Sequence, residues 1–431
     1  MKVSVITLGC KVNQYESQAM LGDLSEAGYS ACDCADGCDV VIVNSCTVTA
    51  ESDRKVRQAL RRARRENPDA VLVLAGCMPQ AFPEEAERLT EADIVLGNSN
   101  RSSLVHDIQD FLAAGRRIVD IAPHGNIFEP MRVDRFFERT RAFVKIEDGC
   151  NRFCSYCIIP YARGRVRSKP MGDLQAELLQ IAANGYREVV LTGINLSAYG
   201  QELGLTLCNA VEAACKVKGI DRVRLGSLEP ERLEEDVIGR LRRQPKLCPQ
   251  FHLSLQSGCD ATLKRMNRHY TADEYRAIVK NLRGVFPNAA VTTDIMVGFP
   301  GETEEEFMQS LAFEQEIGFA KAHVFVYSRR PGTVAAKMEG QVTRRTGEER
   351  SAKMMEAAKQ TRRTFLARQA GLAEPVLFEQ RHPQDLYEGY TANYTPVRVF
   401  SRADLCGRIL PVRITGAGED SCMGELMTES V

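Results

Sequence analysis

Short apolar runs alternate with amphipathic helical patterns along the first 125 residues of the chain. The apolar runs predict strands at Val3–Leu8, Val40–Val43, Ala70–Ala75 and Ile94–Leu96. Helical periodicity between them predicts helices near Tyr15–Ala27, Ser52–Arg65 and Leu104–Ala114. Strands that alternate with helices indicate an open, mostly parallel sheet, so residues 1–125 are predicted to form an α/β domain.

A second alternating series begins at Arg141, after a segment at 126–140 that we interpret as a linker because it lacks periodicity. Its strand candidates are Ala142–Glu147, Glu188–Thr192, Arg222–Gly226, Phe251–Leu255, Ala290–Val297 and Ala322–Tyr327. Its helix candidates are Gly172–Ala183, Thr206–Lys218, Glu231–Arg243, Ala272–Val285 and Glu302–Ile317. Six such units fit a partial (β/α)6 barrel over 141–342 better than a closed barrel of eight, with functional groups where strands end.

The last part of the chain contains two further predicted units, a long helix and a β-rich module. A long basic helix is predicted at Thr343–Gln369, so that residues 343–371 connect the barrel to a C-terminal module. Within that module, at 372–431, the segments Pro375–Glu379, Tyr387–Phe400 and Gly407–Ile414 predict a small β-barrel. The module carries five Arg against nine Asp and Glu, which is unusual for a surface that binds RNA.

Composition narrows the class of protein further. With 431 residues, 44% hydrophobic and 26% charged, the chain is ordinary globular protein. No apolar run approaches the ~20 residues that span a bilayer, and the start of the chain does not resemble a secretory signal, so we expect a cytoplasmic protein. The net charge is −1, so nucleic acid would have to be attracted by local basic patches. Fifteen cysteines in a reducing compartment favour metal ligation over disulfides.

The clearest chemical signal is Cys150, Cys154 and Cys157, which follow the first predicted barrel strand with a CxxxCxxC spacing. Three thiolates on one loop can hold three corners of a [4Fe–4S] cluster, which normally has four Cys ligands. One iron would remain open to a substrate or cofactor. Zinc is the alternative, but it needs four ligands, and no His pair or second Cys pair lies nearby in the sequence.

Three more cysteines, Cys10, Cys46 and Cys77, each follow a strand of the N-terminal domain. The carboxyl ends of parallel strands border one crevice, so these cysteines are predicted to meet and bind metal. The alternative is that each is a small buried residue at a strand end. A rival set, Cys32, Cys34 and Cys38, is closely spaced but lies in a polar loop with no evident fourth ligand.

The CxxxCxxC motif after the first barrel strand resembles the radical S-adenosylmethionine (SAM) enzymes. Further motifs resemble the methylthiotransferase family of those enzymes over nearly the whole chain: Thr7–Glu16, Asn44–Thr49, Ala75–Gln80, Ile158–Gly164, Leu253–Gly258, Lys264–Arg268, Asp294–Glu302 and Tyr327–Thr333. The final module resembles a TRAM domain, the RNA-binding β-barrel that ends members of this family.

This resemblance implies two [4Fe–4S] clusters, an auxiliary one on Cys10, Cys46 and Cys77 and a SAM-binding one on the CxxxCxxC loop. One SAM would methylate sulfur at the auxiliary cluster, and a second would supply the 5′-deoxyadenosyl radical that activates C2 of an adenine. It also implies a low-potential electron donor such as flavodoxin or ferredoxin. Polar residues at the ends of barrel strands would contact SAM, with Glu229 as acceptor of a ribose hydroxyl; the alternative is a structural role. These residues are Asn195, Glu229, Gln256, Asp294 and Gly298.

The run Asn44–Gln58 and the segment Glu388–Tyr394 resemble the branch that acts on N6-threonylcarbamoyladenosine beside the tRNA anticodon. Alternatives with the same chemistry are N6-isopentenyladenosine of tRNA and an aspartate of a ribosomal protein. An alternative of another class is a non-catalytic, zinc-stabilised RNA-binding protein.

Two basic stretches are candidates for tRNA phosphate contacts. One is a predicted helix with Arg54, Lys55, Arg57 and Arg61 around an apolar stripe. The other runs out of the CxxxCxxC loop and includes Arg163, Arg165 and Arg167. For the helix, the alternative is an ordinary solvated face.

Overall fold

The computed structural model describes residues 1–33, 37–133 and 140–427. The N-terminal domain has a six-stranded sheet of order β2-β1-β3-β4-β5-β6 in which every neighbouring pair is parallel. Its strands are β1 (Lys2–Thr7), β2 (Ser30–Ala31), β3 (Val40–Ser45), β4 (Val71–Gly76), β5 (Ile94–Leu96) and β6 (Ile118–Asp120). Its helices are α1 (Lys11–Glu26), α2 (Ala50–Glu66), α3 (Cys77–Ala81), α4 (Pro83–Glu87) and α5 (Leu104–Ala114). The predicted open parallel sheet is confirmed.

Both faces of this sheet are covered by helices, which explains the continuous apolar run in β3. Val40 and Ile42 pack with Met20 and Leu24 of α1 on one face. Val41 and Val43 pack into the other core, beside α2. Because successive side chains of a strand point to opposite faces, a strand buried on both faces has apolar residues at every position.

The central domain is a partial barrel of parallel strands, as predicted, with one short antiparallel pair of strands beside it. Its strands are β7 (Arg141–Lys145), β8 (Glu147–Asp148), β9 (Arg167–Ser168), β10 (Glu188–Thr192), β11 (Arg222–Leu225), β12 (Ser227–Leu228), β13 (Gln250–Leu253), β14 (Ala290–Val297) and β15 (Lys321–Val326). Its helices are α6 (Ile159–Arg163), α7 (Met171–Ala183), α8 (Leu207–Lys216), α9 (Glu235–Arg242), α10 (Asp260–Arg265), α11 (Ala272–Val285) and α12 (Glu304–Ile317). The strands pair in the order β7-β10-β11 and then β12-β13-β14-β15.

The barrel is open on one side. The predicted strand at 222–226 is divided by Gly226 into β11 and β12, which link the two runs of strands. Within the described residues, the two runs form separate sheets, and their outer strands β7 and β15 do not pair with each other. The N-terminal domain packs beside this opening, where α1 contacts β7.

The C-terminal part consists of helix α13 (Arg344–Ala367) and a closed five-stranded barrel of order β16-β17-β18-β20-β19. The strands are β16 (Ala373–His382), β17 (Leu386–Thr391), β18 (Pro396–Phe400), β19 (Ile409–Ala417) and β20 (Cys422–Leu426). The prediction of one strand over 387–400 is wrong. A turn divides it, in which Tyr394 has a φ of +68° and Thr395 donates its amide to Thr391 Oγ1 at 3.0 Å.

Basic residues of the first barrel strands hold this C-terminal barrel in place. Arg222 Nη1 donates to Tyr390 O at 3.0 Å and Arg224 Nη1 donates to Ala392 O at 3.0 Å. Arg141 forms an ion pair with Glu379. One carboxylate of the acidic module therefore compensates a strand arginine of the central domain.

The predicted linker lies partly outside the described residues, which omit 134–139. Before that gap, Met131 O accepts a hydrogen bond from Tyr15 Oη of α1 at 2.8 Å and one from Lys169 Nζ at 3.1 Å. This segment therefore joins α1 to the central domain. Among the described helices, none is long and apolar enough to cross a membrane.

Candidate active site

The three N-terminal cysteines meet at the carboxyl edge of the parallel sheet. Cys10 is the residue before α1, Cys46 follows β3 directly, and Cys77 begins α3. A Cβ atom at Gly9, where φ is +117°, would lie 2.8 Å from Cys46 Cβ and 3.3 Å from Cys46 Sγ. Only glycine fits there, because the chain that carries Cys10 passes directly over Cys46.

The charges of this strand-end triad require compensation. Burial, together with the negative charges of the neighbouring Cys77 and Cys10, raises the pKa of Cys46 to about 11. Burial also raises the pKa of Cys10, although the positive charge of Arg163 opposes this effect. Thiolates in such a place are stable only when a cation or a metal centre neutralises them.

The spacing of the cysteines does not suit a single ion. Among the described residues, no three His, Cys, Asp or Glu side chains are placed to hold one metal ion. Sulfur ligands of one tetrahedral zinc ion would stand about 3.8 Å apart, given a Zn–S bond of about 2.3 Å. A cube of four irons would hold its thiolate ligands farther apart than one zinc ion does.

A buried ion network lies behind the strand-end triad and joins the two domains. Arg163 of α6 donates its Nε to Cys77 Sγ at 3.2 Å and its Nη2 to Asn13 Oδ1 at 2.9 Å. It also pairs with Glu16 of α1, as do Arg101 at 2.9 Å and Lys145 at 2.7 Å. Burial opposes ionisation of Glu16, but Arg101, Arg163 and Lys145 hold its pKa at about 2.

This network corrects part of the predicted RNA-binding set. Arg163 is 0% exposed and Arg167 is 8% exposed, and Arg167 pairs with the buried Asp148 at 3.6 Å. A phosphate backbone cannot reach buried guanidinium groups that carboxylates already neutralise. Arg165 points outward and stacks its guanidinium over the Phe153 ring at 4.7 Å.

The predicted basic face of α2 is exposed but largely neutralised. Arg54 pairs with Glu51 at 2.5 Å, Arg57 with Glu85 at 2.8 Å and Arg61 with Glu91 at 3.3 Å. Lys55 has no ion pair or hydrogen bond among the described residues. Exposed ion pairs of this kind contribute little to stability. Breaking them to contact a phosphate group therefore costs little free energy.

The CxxxCxxC loop is built from local turns after β7 and β8. Gly149, with φ +90°, lies against the backbone of Arg165, where a side chain would clash. Cys150 N donates to Gly164 O at 3.0 Å, and Cys157 N donates to Cys154 O at 2.9 Å. Burial raises the pKa of Cys150 to about 11 and that of Cys157 to about 12. The three sulfurs of this loop triad are half-buried and face the barrel.

Two side chains from other loops of the central domain reach the loop triad. Arg268 Nη1 lies 3.4 Å from Cys154 Sγ, and its Nη2 pairs with Glu229 Oε2 at 2.6 Å. Asn195 Nδ2 lies 3.8 Å from Cys150 Sγ. The structure therefore brings two of the predicted SAM-contact residues, Asn195 and Glu229, to the cysteine loop.

Two polar oxygen atoms lie buried beside the loop triad. Asn195 Oδ1 and Glu147 Oε1 are buried and have no hydrogen-bond partner among the described residues. Glu147 Oε2 accepts the amide of Asn195 at 2.6 Å, and burial raises the pKa of Glu147 well above its usual range. Because buried polar atoms are normally paired, Asn195 Oδ1 is placed to accept from a donor such as the amino group of SAM. The raised pKa favours the protonated carboxyl of Glu147, whose Oε1 would then donate to a ligand.

The other predicted SAM contacts have mixed surroundings. Asp294 lies in the barrel interior with its Oδ2 3.3 Å from His252 Nε2. Gln256 has a φ of +67° and its backbone amide donates to Asp294 O at 2.8 Å. The amide of Gly298 is already used, since it donates to Glu302 Oε2 at 2.6 Å.

A cavity of about 550 Å³ connects the two domains. Cys10 and Lys11 form its N-terminal side, and Tyr394 enters from the C-terminal barrel. The barrel side includes Thr192, Gly193, Ser227, His252, Asp294 and His323. Cys10 of the strand-end triad lines this cavity, and Gly193 of its barrel side is two residues before Asn195, which contacts Cys150 of the loop triad.

The rival cysteine set lies elsewhere. Cys32 N bonds to Val3 O and Cys38 N to Asn67 Oδ1, which places both at the amino edge of the sheet. Their Sγ atoms are 2.6 Å apart. Cys34 lies outside the described residues.

Sequence reasoning missed several residues of this site. Glu16 and Arg268 are charged residues within the family motifs, and nothing else in the sequence indicated their roles. Lys11, next to Cys10, was not among the predicted site residues. No signal in the sequence was available for Glu16 or Tyr15, because the burial of these positions of α1 is seen only in the folded protein.

Comparison with known proteins defines the class. Residues 144–313 match the Radical SAM superfamily, and residues 2–97 match the "Uncharacterized protein family UPF0004". The radical S-adenosylmethionine methyltransferase TsrM from Kitasatospora setae, solved with cobalamin and a [4Fe–4S] cluster, superposes with a TM-score of 0.58 at 14% identity. This covers 78% of this chain and 76% of TsrM. The central domain is therefore a radical SAM fold.

Relatives over the full length define the family. The chain is 37% identical to the "Threonylcarbamoyladenosine tRNA methylthiotransferase MtaB" of Bacillus subtilis, covering 96% of this chain and 94% of the relative. It is 37% identical to the protein of the same name from Thermotoga maritima, covering 100% and 98%. It is 34% identical to the "tRNA-2-methylthio-N(6)-dimethylallyladenosine synthase" of Pelotomaculum thermopropionicum, covering 96% and 95%. The chain belongs to the radical SAM tRNA methylthiotransferases.

Proposed function

We propose that this enzyme inserts a methylthio group at C2 of N6-threonylcarbamoyladenosine beside the tRNA anticodon. The observation that carries the proposal is the shared cavity, which is bordered by Cys10 on one side and by the inner face of the barrel strands on the other. A sulfur-bearing site and a radical source must both reach one carbon of the substrate. The relatives named for threonylcarbamoyladenosine, and the motifs shared with that branch, support the substrate.

The two triads divide the cofactors in this proposal. Cys150, Cys154 and Cys157 would hold the cluster that binds SAM, within a radical SAM domain at 141–342. Cys10, Cys46 and Cys77 would hold an auxiliary [4Fe–4S] cluster within residues 1–125. The donor sets support this, because each offers three thiols and leaves one iron of a cube open. When bound, the clusters and SAM would supply one-electron reduction, the methyl group, sulfur held at the auxiliary cluster and the radical that removes hydrogen from C2.

The chain's own residues prepare the SAM site. Arg268 places a positive charge against Cys154 and fixes Glu229 in its ion pair. Glu147 holds the amide of Asn195, which leaves Asn195 Oδ1 directed to a ligand. Glu229 would accept a ribose hydroxyl with the edge of its carboxylate that Arg268 does not cover. Asp294, whose carboxylate faces His252, would contact SAM from the barrel interior.

The tRNA would approach along the exposed side of α2 and the segment after the cysteine loop. Arg54, Lys55, Arg57 and Arg61 would contact the phosphates of the anticodon stem-loop, together with Arg165. The adenosine would leave its stack to enter the cavity, as bases do in other modification enzymes. Reduction would come from a low-potential donor of the flavodoxin or ferredoxin class.

The test uses anaerobically reconstituted enzyme and three anticodon stem-loop RNAs. They carry threonylcarbamoyladenosine, dimethylallyladenosine or unmodified adenosine at the same position. We expect a 2-methylthio product, measured by mass spectrometry of the nucleosides, from the threonylcarbamoyl RNA alone. Efficient conversion of the dimethylallyl RNA in its place would contradict the proposed substrate.

The same preparation tests the cofactors. We expect about eight irons per chain, the content of two cubes, and dithionite-dependent cleavage of SAM. A colourless protein with stoichiometric zinc and no SAM cleavage would contradict the assignment of both triads.

A further inference from the structure

Lys11 occupies an unusual position at the wall of the interdomain cavity. It is the first residue of α1 and follows Cys10 directly. Its side chain lines the cavity together with residues of the barrel interior. Within the described residues it makes no ion pair and no hydrogen bond, although its side chain lies among residues of all three domains.

The charges around Lys11 are mostly of the same sign. Arg224 and Arg141 lie close enough for their positive charges to act on it. Two groups oppose these positive charges at Lys11, the thiolate of the adjacent Cys10 and the carboxylate of Glu188. Glu188 is already shared by Arg141, Arg222 and Arg224. Arg224 is further occupied by the carbonyls of Ala392 and Thr391.

The opposite wall of the cavity adds positive charge. Lys321 and His323 of β15 line it, and the positive charges of both Lys321 and Lys11 act on His323. Asp294, a carboxylate lining the same cavity, faces His252 at 3.3 Å. Among the described side chains that line the cavity, Asp294 is the one carboxylate, against the cations Lys11, Arg224 and Lys321. The cavity therefore has an excess of positive charge, which favours an anionic ligand.

We propose that Lys11 binds the carboxylate of the substrate's N6 group and so selects threonylcarbamoyladenosine over adenosines with an apolar N6 group. This inference rests on the proposed function. A threonylcarbamoyl group ends in a carboxylate and a hydroxyl, whereas a dimethylallyl group is a hydrocarbon. Hydrocarbon placed against Lys11 would remove water from an unpaired charge, which is costly.

The position of Lys11 suits this role. C2 and N6 belong to the same adenine base, and N6 is attached to the six-membered ring that contains C2, so a group that binds the N6 substituent can also fix where C2 lies. Since Lys11 is adjacent to Cys10, the contact would orient C2 relative to the strand-end triad. Lys11 is thus a specificity-determining and positioning residue.

The experiment measures binding as well as turnover. Holoenzyme is titrated with anticodon stem-loop RNAs that carry threonylcarbamoyladenosine, its carboxamide analogue, dimethylallyladenosine or adenosine. Wild-type protein should bind the carboxylate form about 10- to 100-fold more tightly than the carboxamide form, the range for one hydrogen bond between charged groups. K11M should remove this preference and K11R should retain most of it. K280M, which alters an exposed lysine of α11, is the matched control and should behave as wild type.

Each other outcome has a separate meaning. If wild-type protein binds the carboxylate and carboxamide RNAs equally, the inference is wrong, and this comparison needs no variant. If K11M weakens binding of all four RNAs by the same factor, Lys11 contacts a phosphate and the inference is again wrong. If wild-type enzyme does not modify the threonylcarbamoyl RNA, the proposed function itself fails. Iron content per chain is measured for K11M so that a damaged cysteine site is recognised.

Discussion

The two cysteine triads differ in how the chain assembles them. The loop triad lies within one short segment, Cys150–Cys157, whose turns are closed by local backbone bonds such as Cys157 N to Cys154 O. The strand-end triad draws one residue from each of three separate segments, which only the parallel register of β1, β3 and β4 brings together. The loop triad is therefore evident from adjacent residues in the sequence, whereas the strand-end triad forms only in the folded sheet.

The triads also differ in what surrounds them. The loop triad is served by Arg268 and Asn195, both from the domain that carries the loop. The strand-end triad is served by Arg163, which comes from the neighbouring domain and contacts Cys77 at 3.2 Å. The electrostatic environment of Cys77 thus depends on domain association, and the contact between domains is part of the site.

The largest effect is expected from Cys154→Ala in the loop triad. The variant should lose SAM cleavage and methylthiolation by more than about 100-fold each, because loss of a ligand exceeds the effect of its supporting residues. Both products are measured by liquid chromatography and mass spectrometry. Cys406→Ala, an exposed cysteine of the C-terminal barrel, is the control and should leave both activities unchanged. SAM cleavage retained by C154A would refute the assignment of this loop.

Cys10→Ala in the strand-end triad should separate the two activities. Methylthiolation should be abolished, whereas 5′-deoxyadenosine formation should stay within about twofold of wild type, since the loop triad is intact. Iron content should fall to about half. Cys32→Ala serves as the control and should keep the full iron content. Loss of both activities in C10A would show that the triads do not act separately.

Glu16→Gln tests whether domain association supports the strand-end triad. Removing this buried carboxylate leaves Arg101, Arg163 and Lys145 poorly compensated, which should cost about 3–5 kcal/mol. We expect an earlier urea transition by circular dichroism and a larger loss of iron from the strand-end triad than from the loop triad. Glu51→Gln, which removes an exposed pair with Arg54, should produce no measurable change. Equal effects of the two variants would contradict the role of the network.

Acid should weaken the same contact in a defined range. The pKa of Glu16 is lowered from about 4.5 to about 2 in the folded protein, so its ionisation stabilises the fold above pH 4.5. That contribution should disappear as the pH falls from about 4.5 towards 2. The difference in urea midpoint between wild type and E16Q should therefore be constant above this range and vanish below it. A difference that persists at the lowest pH would refute the assignment.

The smallest effects are expected at the RNA contacts beside each triad. One variant is Lys55→Gln, on α2 in the domain that carries the strand-end triad. The other is Arg165→Gln, shortly after the loop triad in the chain. Each should weaken tRNA binding by a few-fold and reduce the dependence of log Kd on log salt by about one phosphate contact. Arg62→Gln alters a residue farther along α2 and is the comparison variant for Lys55→Gln. An unchanged salt dependence in K55Q would mean that α2 is an ordinary solvated surface.

The fold was largely predictable because its elements have strong periodic signals. The helices Leu104–Ala114 and Ala272–Val285 and the strands Glu188–Thr192 and Ala290–Val297 have the predicted ends. The turn at Thr391–Thr395 was missed, since its Thr and Asn side chains bond locally in a segment that otherwise has strand composition. The strand Cys422–Leu426 was not predicted, because it is short, contains a glycine and a charged residue, and gains its partners only in the closed barrel.

The sequence by itself determined the periodic elements, the spacing of the cysteine loop and the strand-end positions of Cys10, Cys46 and Cys77. These properties depend on neighbouring residues, which share a turn, a helix face or a strand. Only the tertiary structure decided that Arg163 is buried against Cys77 and not available to phosphate, and that Lys11 faces a cavity rich in positive charge. Ion pairing and burial depend on groups far apart in the chain, such as Glu16 and Lys145, and their charges alone do not reveal which of them meet.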